Sequence, residues 1–198
     1  MARSRENTRA RLLEAAHDVF AEVGLGAASV EAICERAGFT RGAFYSNFET
    51  KDELFLALIT QLAEDKLDEV AVRVRTLSGR DDPVDLVRQI ADISLAERME
   101  PQLLSEIRTQ ALRDDNLAAA FLAWREQMRV RVEAIITDVT SAHGIRLRMP
   151  LPDAAQLLLD VSEECSVRSS LERKSKRSAN EALQSRLQQL VALLVEAG

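Results

Sequence analysis

Ala37-Gly38-Phe39-Thr40-Arg41-Gly42-Ala43-Phe44-Tyr45-Ser46-Asn47-Phe48-Glu49-Thr50-Lys51-Asp52-Glu53-Leu54 is the stretch on which the fold turns. Gly38 can stop one helix, and Thr40, two residues on, can cap the next. That next helix sets Phe44 and Phe48 at i, i+4 on an inner side. Arg41, Gly42, Tyr45, Ser46 and Asn47 are left facing outward. Thr50-Lys51-Asp52-Glu53 has the T-x-x-E form of a capping box and opens a longer helix. Upstream, Leu12, Leu13, Ala16, Val19, Phe20 and Val23 follow one face of a 3.6-residue period, with Gly24 as a C-terminal cap. Ser29 can N-cap a short helix whose inner face is Val30, Ile33 and Ala37, and Glu31 in its first turn suits the helix dipole. A helix, a short helix, a Gly turn, another short helix and a capped fourth make the core of a helix-turn-helix domain.

The outward residues have the chemistry that DNA reading needs. A recognition helix brings its N-terminal residues to base edges in the major groove. Thr40 and the first-turn amides can take a phosphate at the positive end of that helix. Arg41 is long enough for a bidentate contact with guanine, and Asn47 could pair with adenine. Gly42 lets the backbone approach the duplex, while Tyr45 and Lys51 are placed for phosphates, which set register without reading sequence. Ser46 lies on the same face, and Arg5 and Ser29 complete the candidate DNA-binding set. The competing reading of such a face is a solvated polar surface.

These residues, with Ala15-Ala16 through Phe20, Gly24 and the Ser29-Val30 entry, resemble the TetR family of transcriptional regulators over roughly residues 8–59. Position 47 is Asn where the family commonly has His, so no base preference carries over. The resemblance implies a homodimer of all-helical subunits whose last two helices form a four-helix bundle with those of the partner. It implies repression relieved by a small molecule.

Downstream the pattern stays helical and shows neither a convincing strand nor an internal repeat. The long helix from Lys51 should end near Ser78-Gly79. Asp82-Pro83 should open another, and Pro101 a third with Leu103, Leu104, Ile107, Ala111 and Leu112 inside. A second long helix is predicted from Asn116 to about Ala142, closed by Gly144, with Ile145 to Pro152 as a linker. Two last helices carry Leu157, Leu158, Val161 and Cys165, then Leu183, Leu187, Leu190, Val191 and Leu194. Ser178-x-x-Glu181 would give the final one a capping box. The class is all-α, with a DNA-binding domain over residues 1–50 and a ligand-binding and dimerisation domain over residues 51–198.

The seam Leu183, Leu187, Leu190, Leu194 suits packing against a partner subunit, although a core helix within one chain would show the same spacing. Leu104, Phe121, Trp124, Met128, Val161 and Cys165 are candidate lining for an effector pocket; ordinary packing is the alternative. Arg131, Glu163 and Glu164 could anchor a ligand or simply lie exposed. The basic run Arg173, Lys174, Lys176, Arg177 reads as a solvated connection between the last helices.

The bulk composition agrees. With 7 Gly and 4 Pro in 198 residues, punctuation is sparse, which favours long helices. The net charge of -6 argues against nucleic acid, but Arg3, Arg5, Arg9 and Arg11 against Glu6 alone make the N-terminal segment basic. No apolar run reaches the length of a membrane span and no signal-peptide core is present, so the cytoplasm is expected. Cys34 and Cys165 sit in apolar helical patterns and read as buried thiols. With His17 and His143 at no ligand spacing from them, no metal site is expected. There is no Gly-rich phosphate loop, no His-rich metal motif and no localisable Ser/His/Asp set, so neither an enzyme nor a cofactor is expected. The expected partners are double-stranded DNA with a palindromic operator, a second copy of the chain and an unidentified small-molecule effector. The competing function is an architectural DNA-binding protein without a ligand.

Overall fold

The computed structural model describes residues 2–76 and 101–196. Within them lie eight helices: α1 (Ala2–Ala27), α2 (Val30–Ala37), α3 (Arg41–Tyr45), α4 (Lys51–Thr76), α5 (Pro101–Ala111), α6 (Asp115–His143), α7 (Leu151–Leu171) and α8 (Lys176–Leu194). The all-α class is as the sequence predicts. The helix expected from Asp82-Pro83, and the end of α4 near Ser78-Gly79, lie outside the described residues.

Local chemistry sets the helix ends. At Gly24 the backbone leaves helical geometry (φ 77°, ψ 165°), a region that only glycine enters without strain. Ser29 caps α2, its hydroxyl accepting from the Ala32 N–H at 3.1 Å, and Gly38 ends the same helix in the left-handed conformation. Thr40 caps α3 by accepting from the Ala43 N–H. At α4 the Thr50 hydroxyl accepts from the Glu53 N–H at 3.0 Å. The return arm of that capping box reaches the Glu49 N–H at 2.6 Å, one residue earlier than the motif predicts. Asp114 caps α6 through the Asn116 and Leu117 amides.

The expected cap of the last helix is corrected. Ser175, not Ser178, is the N-cap: its hydroxyl accepts from the Ser178 N–H at 3.2 Å, so the helix starts three residues early. Glu181 pairs with Arg177 one turn back. Lys176 and Arg177 therefore open α8 rather than belonging to the connection.

The chain divides into two compact units, Met1–Leu62 with Gln102–Trp124, and Ala63–Pro101 with Arg125–Gly198. Both α4 and α6 contribute to each. In the first unit Leu12, Ala16, Phe20, Ile33, Phe44, Phe48, Leu54, Phe55 and Ile59 are buried, joined by Leu103 and Ile107 of α5. Phe20 meets Phe55 edge-on at 5.3 Å. Each of the Leu, Ile and Phe side chains among them contributes about 1.5–3 kcal/mol when fully buried. This core holds α1, α2, α3 and the first part of α4 together.

In the second unit α7 packs on α8, with Leu158, Val161 and Cys165 against Leu183 and Leu187. Arg125 of α6 donates to Glu163 at 2.7 Å and to Asp160 at 2.8 Å, both on α7. Arg131 pairs with Asp68 of α4, so it is spent on an ion pair. The linker after Gly144 lies along the C-terminal residues: Arg148 donates to the Leu194 carbonyl and the Glu196 N–H to that of Arg146.

Candidate nucleic-acid interface

The reading element is a five-residue helix held from behind by aromatic packing. Phe44 is fully buried, and Phe48 stands behind it with ring centroids 5.9 Å apart. Tyr45 is half exposed and edge-on to Phe44 at 5.3 Å. The outer face presents Arg41, Gly42, Tyr45 and Ser46, all exposed. A Cβ at Gly42 would meet only the Thr40 hydroxyl, at 3.7 Å, so the backbone there stands open. Ser29 and Thr40 place the N-termini of α2 and α3 at neighbouring ends of the motif.

The Arg41 guanidinium lies 2.8 Å from Glu31 of α2 and 5.9 Å from the centre of the Tyr45 ring. A hydrogen bond with Tyr45, then the charge of Glu31, raise its already high pKa. Arg41 is thus a permanent cation, 61% exposed and steadied by two neighbours without being covered by them.

Arginines of α1 fasten the motif. Arg5 donates to the Ser46 carbonyl at 2.9 Å and Arg9 to that of Asn47 at 3.3 Å, both at the C-terminal end of α3. Arg11 donates to the Ala37 carbonyl at 2.8 Å at the end of α2. Arg9 also lies over the Phe48 ring and Arg11 over Phe39. Cations at helix C-termini satisfy leftover carbonyls and complement the dipole.

Beside Arg5, two more of the expected DNA contacts, Asn47 and Lys51, have other work in this structure. Asn47 is half-buried, and its side-chain amide donates to the Ala43 carbonyl at 2.8 Å and to Ser46 at 3.2 Å. It closes the end of α3 instead of projecting outward. Lys51 donates to the carbonyls of Leu25 at 2.7 Å and Ala28 at 2.9 Å, where α1 leads into α2. Its ammonium is a brace for that corner. Sequence spacing places both on the correct stretch but gives no sign that a carbonyl lies within reach.

The candidate pocket residues divide between the units: Leu104, Phe121 and Trp124 in the first, Met128, Val161 and Cys165 in the second. The first four are buried and the last two half-buried. Phe121 and Trp124 stack with centroids 5.6 Å apart. The buried Trp124 Nε1–H has no acceptor among the described residues. A groove of about 520 Å³ in the second unit is lined by Val74, Arg75, Asp138, Ser141 and Ala142, none of them in the expected set. Cys34 is buried and Cys165 half-buried, and burial raises the pKa of both thiols. Glu164 pairs weakly with Arg168 at 3.7 Å.

Two short capped helices, the second with an exposed cationic and aromatic face, on an all-helical scaffold have the form of a helix-turn-helix motif. Residues 12–58 match the family model for bacterial regulatory proteins of the tetR family. That match covers the N-terminal helices, and the curated relatives that resemble the chain are HTH-type transcriptional regulators. Among its relatives is the HTH-type transcriptional regulator UidR of Escherichia coli (strain K12), 27% identical over 154 residues that cover 73% of this chain and 77% of UidR. The fold matches Salmonella enterica GusR with a TM-score of 0.65 at 24% identity, covering 95% of each chain. It also matches a TetR transcription regulator from Haloarcula marismortui with a TM-score of 0.70 at 17% identity, over 96% of this chain and 100% of that one. No helix among the described residues is long and apolar enough to cross a membrane.

Proposed function

We propose that this protein is a homodimeric cytoplasmic repressor that reads a near-palindromic operator through Arg41 and its neighbours and leaves it on binding a small molecule. The observation that carries the reading is the exposed Arg41–Tyr45–Ser46 face on a helix whose other side is locked by Phe44 and Phe48. Rigid backing lets one cation be aimed at one base. Ser29, Thr40 and Gly42 supply the phosphate-facing rim, while Arg5, Asn47 and Lys51 hold the reading helix and the corner behind it. Two such heads related by a two-fold axis would enter major grooves about 34–36 Å apart.

An effector site near Trp124 is supported by its buried indole N–H, a donor with no acceptor among the described residues. The effector would then offer an acceptor beside an apolar body stacked near Phe121. For the dimer, Leu183, Leu187 and Leu194 are only 4%, 9% and 3% exposed in the single protomer. They are spent inside the subunit, and Leu190 is half-buried. The partner-facing surface we propose is instead the exposed apolar side of the last two helices, with Leu157 and Leu171 on α7 and Leu193 on α8.

Selection of duplexes from random sequence tests the reading. Enrichment of an inverted repeat is expected. Retention of DNA without any enriched sequence would instead support the architectural alternative.

A further inference from the structure

The corner between α1 and α2 is clamped by two opposite charges brought from distant parts of the chain. After Gly24 breaks α1, the Leu25 N–H donates to the Glu106 carboxylate of α5. The Leu25 carbonyl accepts from the Lys51 ammonium at the head of α4, which also reaches the Ala28 carbonyl. The Leu25 side chain is fully buried. Gly24 fits the carboxylate closely, since a Cβ there would come within 2.8 Å of Glu106 Oε1. Ser29, the cap of α2, follows Ala28 directly. One residue is therefore held at its N–H by α5 and at its carbonyl by α4.

Glu106 lies outside residues 12–58, yet α5 from Gln102 onward belongs to the same compact unit as the DNA-reading helices. A carboxylate on a part-buried backbone N–H is a strong, directional restraint. We propose that Glu106 is a positioning residue for DNA reading: it fixes the α1–α2 corner from which α2 starts and against which Lys51 sets the head of α4. The proposal rests on the DNA-reading function inferred above and adds to it a specific mechanical link. Glu106 touches no base and acts only through Leu25.

The test uses the full-length protein, Glu106→Ala and Glu106→Gln variants, and a duplex selected from random sequence by the wild-type protein. Glutamine keeps an acceptor oxygen and should rescue. Glu106→Ala should speed amide exchange in the peptide containing Leu25 by roughly tenfold or more, as expected for a lost part-buried hydrogen bond. It should also lower affinity for the selected duplex by about tenfold while changing affinity for random DNA by less than about twofold, a split that separates positioning from general loss of charge contacts. If alanine fails to fold, Glu106→Asp, shorter by one methylene, takes its place. Faster exchange with an unchanged ratio of specific to random binding would overturn the proposal and leave a plain helix cap. Unchanged exchange would overturn the clamp itself. If the wild-type protein selects no duplex, the DNA-reading function fails first, and the exchange comparison, which needs no DNA, still reports on the clamp.

Discussion

Arg41 and Lys51 are both cations of the DNA-binding motif, yet their surroundings give them different work. Arg41 is exposed and ends in a guanidinium that can trade Glu31 for a base edge. Arg41→Ala should weaken operator binding by roughly 1–3 kcal/mol and leave random-DNA binding nearly unchanged, measured by competitive titration. Equal loss on both would assign it to phosphate. Lys51 already donates to two carbonyls. Removing it leaves buried acceptors unpaired, so Lys51→Ala should lower unfolding stability by about 1–3 kcal/mol. The slope of log affinity against log salt should change by much less than the roughly 0.9 expected for a lost phosphate contact. Full loss of that increment with unchanged stability would place Lys51 on the DNA backbone instead.

At the scale of elements, what was legible in the sequence was whatever depends on neighbours in the chain. Ser29, Thr40, Gly24 and Gly38 mark helix ends because caps act within one turn, and each does so in the structure. The start of α8 was misplaced because Ser175 and Ser178 are both competent caps and only the backbone path chooses between them. Ser175→Ala should therefore cost about 1 kcal/mol in thermal or chemical unfolding, with Ser178→Ala close to neutral. The reverse order would restore the Ser178 capping box. Periodicity likewise showed that one face of α8 is buried, but not what buries it. The clamp at Leu25 was beyond reach, since Glu106 lies 81 residues away and looks like any acid on an amphipathic helix.

For the whole molecule, the packing of α7 on α8 lies within one protomer, which separates folding from the proposed dimerisation. Leu187 is buried within the subunit, so Leu187→Ala should lower protomer stability by roughly 2–5 kcal/mol. Its effect on the dimer, read by light scattering below the unfolding transition, should be small. A variant that stays folded and becomes monomeric would return the seam to the partner interface. A chain of net charge -6 is proposed here to bind a specific DNA sequence nonetheless, through a small basic tip. An electrophoretic shift on the DNA immediately upstream of the encoding gene, at two salt concentrations and with random DNA as competitor, tests it most directly. A shift that weakens with salt and survives the competitor is expected; a shift that random DNA removes equally well would mean that the protein reads no sequence.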